Sequence, residues 1–350
     1  MTAVPGPLHH VRGVLGESVR LGPAPGAHRV AIRGAIVLAV ALGTLLAVDR
    51  LDLGIAAAFG AFASIYGGRR PSRTRWRAQA WMGALLTATA AVGALVGMTP
   101  WSTWLAIPLV AVVAGLATWA SDAQGWRPPG PFFLVFAAGA CASVPFAPAD
   151  VPLVPLVSAA TAALAVGLGA LEQLVLPTRK APPPAPPRDP AIRWQVARAV
   201  VGVGAAGALA TAVSGWLPGG DHPYWAMLSA AVAFAVPHVH GQLARGVQRV
   251  VGTFVGLGVA WLLLSAGLPP LATIAVVVAL QFVIELVIGW NYAIGLVAIT
   301  PLAMLLVHLA APAPIDALLL SRLVETALGV AVGSLAIVAI RPRGRGRGTR

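Results

Sequence analysis

VAIRGAIVLAVALGTLLAV, residues 30–48, decides what kind of chain this is. It holds a single charge, Arg33, and no proline. A helix rises about 1.5 Å per residue, so roughly 20 such residues reach across the ~30 Å hydrocarbon core of a bilayer. A surface helix of a soluble protein keeps a polar face, and this stretch has none. It reads as a transmembrane helix. Working outward, comparable apolar runs follow at 52–67, 78–99, 101–120, 131–148 and 151–176, then at 194–216, 222–237, 248–267, 269–289, 291–311 and 314–340. The composition agrees: of 350 residues, 58% are hydrophobic and 10% charged, with mean hydropathy +0.83. A soluble domain carries about 25% charged residues, so soluble enzymes, secreted disulfide scaffolds and disordered chains are excluded. The lone cysteine, Cys141, permits no intramolecular disulfide and argues against a cysteine-held metal cluster.

The expected fold class is therefore an all-α polytopic membrane protein with about twelve transmembrane helices, arranged as two parallel six-helix repeats. A polar leader occupies 1–28, and the first six-helix repeat 29–177. A proline-rich linker follows at 178–193, where APPPAPPRDP (181–190) reads as an extended spacer because proline fixes φ and lacks an amide donor. The second repeat covers 194–340 and an arginine-rich tail 341–350. The first apolar run begins too late for a cleaved signal peptide. Arg29 and Arg33 enter the first span as Arg193 and Arg198 enter the seventh, and VGLGALEQLVLP (166–177) closes the first half as VGSLAIVAIRP (332–342) closes the second. An even number of crossings per half makes the repeat parallel, related by an axis along the membrane normal.

Basic residues orient the chain. With the N-terminus in the cytoplasm, that side receives Arg12, Arg20, Arg29, the arginines of GGRRPSRTRWR (67–77), Arg127, the linker, Arg245, Arg249 and the tail. The opposite side receives Asp49, Asp52, Asp150, Asp221 and Asp316, with Arg50 as its basic loop residue. The expected location is a bacterial-type plasma (inner) membrane with both termini cytoplasmic. The net charge of +13 sits in short clusters between apolar runs rather than on an aromatic-interleaved face, so no nucleic-acid partner is expected. The partners expected are the lipid bilayer and a small solute; oligomeric state stays open.

Two features point to a solute path. The second and eighth spans are short, and short segments at matching places of two repeats mark a transporter's binding region, because a helix ending inside the membrane must turn its backbone groups to a cavity. The other feature is intramembrane charge. Glu325 stands three residues after Arg322, on the same helix face, suited either to a structural pair or to a proton-titrating or anion-contacting site. Glu285 and Glu172 lie near helix ends, where snorkelling to water accounts for them, as it does for Arg33 and Arg198. His222, Tyr224 and Trp225 read first as part of an interfacial aromatic belt with Trp101, Trp104, Trp216 and Trp290. The chain has no P-loop, no H-E-x-x-H pair and no G-x-S-x-G elbow. No enzyme, cofactor or metal is expected.

PYWAMLSAAVAFAVP (223–237), RVVGTFVG (249–256), NYAIGLVAITPLAMLL (291–306) and SRLVETALGVAVG (321–333), in that order, resemble the fusaric acid resistance protein-like family. That family overlaps with aromatic acid exporters and is more distantly similar to plant aluminium-activated malate transporters. The resemblance covers 194–342 well and is diffuse over 29–177. It implies a substrate path marked by Tyr224, Trp225, Arg245, Arg249, Asn291, Tyr292, Thr300, Arg322 and Glu325; Glu325 and Glu285, as interior carboxylates able to exchange a proton, are the proton-coupling candidates. It also implies export of small organic anions, often aromatic acids, driven by the proton gradient. An arginine rim including Arg245 and Arg249 would concentrate carboxylates at the inner mouth. A passive anion channel of the same fold and a non-transporting membrane scaffold are the competing readings. Many relatives carry a sizeable cytoplasmic domain where this chain has only the proline-rich spacer.

Overall fold

The computed structural model describes residues 7–22, 26–67, 72–175, 192–216, 222–236 and 238–340. Most of the proline-rich linker and the arginine tail lie outside these residues, as do Arg69, Arg70, Asp221 and Pro237. Among the described residues there is no strand. Helices α1 (Pro7–Val19), α2 (Ala27–Ala47), α3 (Gly54–Ala61), α4 (Ser72–Gly97), α5 (Ser102–Gln124), α6 (Phe132–Ser143) and α7 (Leu153–Val175) precede the linker. After it come α8 (Ile192–Ser214), α9 (Tyr224–Val232), α10 (Val239–Ser265), α11 (Pro270–Val287), α12 (Tyr292–Ala310) and α13 (Ile315–Ala339). Nine of them are long and apolar enough to cross a membrane; α3, α6 and α9 are shorter apolar helices.

The two short helices expected from sequence, α3 and α9, are built alike. Each continues into a 3-10 turn, at Phe62–Ile65 and Ala233–Ala235, and then breaks into extended backbone at Tyr66 and Val236. Every residue from Gly54 to Ala61 and from Tyr224 to Val232 is buried. A helix apolar all round belongs in a core, and these two form the centre around which the longer helices stand. Their freed carbonyls are answered by side chains. Arg33 Nη2 and Gln79 Nε2 donate to Ser64 O at 2.6 and 3.3 Å, and Gln242 Nε2 donates to Val236 O at 2.8 Å. A broken helix end inside a membrane needs such partners.

α6 departs from expectation. A full crossing was read over 131–148, but the helix stops at Ser143. Pro145 is the reason: it forces the preceding residue out of helical backbone, and Val144 is extended, with φ −90° and ψ 124°. α10 departs the other way. It begins at Val239 rather than near 248, so Arg245 is a helical residue and not part of a loop, and Arg249 lies about three turns into the helix rather than at its start. The polar leader also folds: α1 packs on α10, and Gly22 N donates to Trp290 O at 2.7 Å.

Within each half the third helix packs on the fifth and sixth, α4 on α6 and α7, and α10 on α12 and α13. The short helix packs on the last, α3 on α7 and α9 on α13. Between halves, α2 lies on α11 and α5 on α8. Apolar helices gain little by association in lipid, so close contact of small residues must hold them. A Cβ on Gly60 would overlap Ser158 O of α7, and one on Gly329 would overlap Ala226 O of α9.

Candidate functional site

The polar interior of the second half is built on α9, with α10, α12 and α13 around it. Arg249, fully buried on α10, donates through Nε to Ser229 Oγ at 3.3 Å and through Nη1 to Tyr292 Oη at 3.1 Å. Its guanidinium carbon lies 5.7 Å from the centre of the Phe132 ring, which α6 of the first half supplies. Arg245, one turn away and partly exposed, stacks on Tyr292 at 4.8 Å. Arg322, 1% exposed, sits 4.9 Å over the Trp225 ring. Cation–π contact of this kind is worth about 2 kcal/mol when desolvated. The two arginines meet α9 one turn apart, Arg249 at Ser229 and Arg322 at Trp225, and Ser229 Oγ donates to Trp225 O at 2.7 Å.

Hydrogen-bond bookkeeping makes this cluster unusual. Arg249 Nη2, Arg322 Nε and Nη1, Trp225 Nε1 and the hydroxyls of Thr253, Thr300 and Thr326 are all buried with no hydrogen-bond partner among the described residues. An unmade hydrogen bond on a buried group costs about 1–3 kcal/mol, and more when it is charged. Guanidinium and indole N–H groups can only donate. Such a set is matched by a ligand rich in acceptors, and an anion such as a carboxylate would also offset the positive charge.

The sequence-derived residues divide cleanly. Tyr224, Trp225, Arg249, Tyr292, Arg322 and Glu325 come together around α9, with Arg245 attached through Tyr292. Glu325 accepts from Ser321 Oγ at 3.3 Å. Thr300 faces the α10–α12 seam, its Cβ against Gly256. Asn291 does not join them. It caps α12 by accepting from Ala293 N at 2.8 Å, and its amide ties down the leader through Ser18 O and Arg20 O. Glu285 lies elsewhere, on α11, where Gln281 Nε2 donates to it at 3.0 Å.

Three sequence readings are corrected. Trp225 and Tyr224 are not belt residues: they are 0% and 3% exposed, and Trp225 stacks on His222 with ring centres 4.6 Å apart. Trp101, Trp104, Trp216 and Trp290 are exposed, as a belt requires. Arg249 is not a rim residue, because the early start of α10 carries it into the bundle. Snorkelling does not describe Arg33, Arg198 or Glu285, which are 5%, 5% and 7% exposed. Arg33 instead bonds Glu172, which Arg75 also holds at 3.1 Å, and Arg198 donates to Ile340 O at 2.8 Å.

Sequence reasoning missed the aromatic wall from the first half. Phe59, Phe62 and Phe136 meet Tyr224 there, with Phe59 and Phe136 edge to face at 5.1 Å and Phe136 stacked near Tyr224 at 6.3 Å. With Leu302 and Leu306 of α12 they enclose an apolar cavity of about 20 Å³ where the halves meet. That is water-sized and too small for an organic acid. PFFLVF (131–136) was the available signal, an aromatic run beside a proline. Among the described residues no cluster of His, Cys, Asp or Glu could hold a metal ion.

Comparison with protein families matches residues 205–336 to the family described as fusaric acid resistance protein-like. That family is one of membrane transport rather than enzymatic chemistry. All of the substrate-path and proton-coupling candidates lie inside the matched region. No curated protein and no solved structure matches the chain.

Proposed function

We propose, on the premise that residues 205–336 are of the fusaric acid resistance protein-like family, that this protein is a secondary-active exporter of small organic acids, aromatic ones included, coupled to the proton gradient. The observation that carries the reading is the pair of buried arginines, Arg249 and Arg322, whose unpartnered N–H donors share one interior with Trp225, Tyr224 and Tyr292. Guanidinium groups recognise a carboxylate by paired N–H donation. The aromatic faces beside them suit the ring of an aromatic acid.

The matched packing of the halves, α2 on α11 and α5 on α8, supports a parallel two-repeat arrangement with the path between. The water-sized aromatic closure at their meeting point supports a gated carrier, in which the halves must move for solute to pass. The charge distribution supports an inner-membrane location with both termini cytoplasmic: Arg50 is held among acids by Asp52 at 2.9 Å and Asp150 at 2.7 Å, on loops assigned to the far side.

Benzoate binding to the purified full chain tests the site. R249Q and R322Q are each expected to weaken binding roughly tenfold or more, since each removes charged hydrogen bonds. Undiminished binding in both variants would place the acid elsewhere. Reconstituted vesicles test the transport class: uphill benzoate movement that requires a pH gradient supports the exporter, and gradient-independent current supports a channel.

A further inference from the structure

A second buried charged cluster lies apart from the arginine pair, on the seam where α2 of the first half meets α11 of the second. Its members are Arg33 on α2, Glu172 on α7, Arg75 on α4, and Glu285 with Gln281 on α11. Their charges balance, two cations against two acids, but the pairing is lopsided. Arg33 Nη1 and Arg75 Nη1 both hold Glu172. Glu285 is 7% exposed, takes one hydrogen bond from the Gln281 amide, and has no cation within ion-pair distance among the described residues. Enclosed charge without a counter-charge is costly. Arg33 stands on the facing helix, where a Cβ on its neighbour Gly34 would lie 3.5 Å from Gln281 Nε2, the group that bonds Glu285. Arg33 also keeps one buried donor, Nε, with no partner.

We propose that Glu285 is the proton-binding carboxylate of the transport cycle, and that Arg33, held by Glu172 with its Nε unpartnered, converts its protonation into a change at the seam between the halves. This rests on the exporter reading. A proton taken from water neutralises the Glu285 carboxylate, and Arg33 remains on Glu172 as observed. When that proton returns to water on the other side, the carboxylate is left charged and draws Arg33 through its Nε, while Arg75 keeps Glu172 compensated. One guanidinium thus exchanges a tie from α2 to α7 for a tie from α2 to α11. The surroundings leave few competitors. On α2, Arg29 and His28 stand about a turn before Arg33. On α12, the other helix packed on α11, Tyr292 is engaged by Arg245 and Arg249, and His308 lies near the far end. Glu325 is a weaker candidate, because Ser321 bonds it and its charge serves Arg322 in the anion site.

Infrared difference spectra of the purified full chain, recorded between acid and neutral pH, test this without any substrate. A band from a buried protonated carboxyl is expected in the wild type and in E325Q, and its loss in E285Q. R33Q should keep the band but move its titration midpoint. In vesicles, E285Q should lose pH-driven accumulation of benzoate while retaining benzoate–benzoate exchange, which also shows that the variant is folded. A band that persists in E285Q, a wild type without one, or full pH-driven accumulation by E285Q overturns the assignment. If the Glu285 band behaves as expected and the wild type moves no acid of any kind, the exporter reading fails and the proton site stands.

Discussion

Arg33 of α2 and Arg198 of α8 stand at matching places in the opening helix of each half, and they are compensated by different chemistry. Arg33 meets the carboxylate of Glu172, with Arg75 beside it. Arg198 meets neutral acceptors, Ile340 O at 2.8 Å and Gln242 Oε1 at 3.4 Å, and Gln242 in turn donates to Gln195 at 2.9 Å. Arg33 donates to Ser64 O where the short α3 segment ends and Arg198 to Ile340 O where α13 ends, and a cation near a helix C-terminus is favourable. The first network is built around a carboxylate, Glu172, whereas the contacts named for Arg198 are a backbone carbonyl and a side-chain amide.

The largest expected effect of breaking this contrast is in the first half. E172A strands two buried guanidinium groups and should destabilise the protein by about 3–5 kcal/mol, read by denaturant titration in detergent. The next tests where the halves are alike. G60A and G329A each drive a Cβ into a backbone oxygen across the short-helix contact, so each should cost up to about 3 kcal/mol. A large difference between the two would break the equivalence of α3–α7 and α9–α13.

Q242L removes the amide that joins Arg198, Gln195 and Val236 O. It should cost about 2 kcal/mol, less than E172A, and its effect should not vary between pH 5 and 8; a loss equal to that of E172A would erase the contrast. The smallest effect is expected at the Arg50 clasp, which is open to solvent. Arg50 donates to Asp52 and holds its carboxyl below the usual carboxylate range, partly offset by desolvation. Because that pKa is depressed on folding, the contribution is full above the ordinary carboxylate range and is lost as acid protonates Asp52. D52N should therefore lower thermal stability slightly at neutral pH and leave it unchanged in acid, where Asp52 is already protonated, so that the acid limb of the profile becomes shallower.

The membrane fold was legible because it depends on length and apolarity. The run at 30–48 became α2, Ala27–Ala47, within a few residues. The short second and eighth segments were legible for the same reason, and they lie at the centre of the bundle. The arginine pair was half legible. The motifs named Arg249 and Arg322, but linear reading set Arg249 at the cytoplasmic rim and Trp225 at the lipid interface. Both errors have one source: an arginine or tryptophan near a helix end has the same sequence signature whether it turns to headgroups or to a neighbouring helix. Asn291 shows the converse, a motif residue used to cap α12 and anchor the leader. The Glu285 cluster was legible only as separate charges, Arg33, Glu172 and Glu285; nothing in the sequence showed that they meet, because the cluster's members are drawn from four helices far apart in the chain.

By itself the amino-acid sequence determined that this chain lives in a bilayer, in what order its apolar segments run, and that the second and eighth of them are too short to span. Each follows from a one-dimensional quantity, the count of apolar residues set against hydrocarbon thickness. Only the tertiary structure decided which charges are buried and what answers them. In a membrane bundle that depends on which helix faces which, and close approach of small residues rather than hydropathy selects those neighbours.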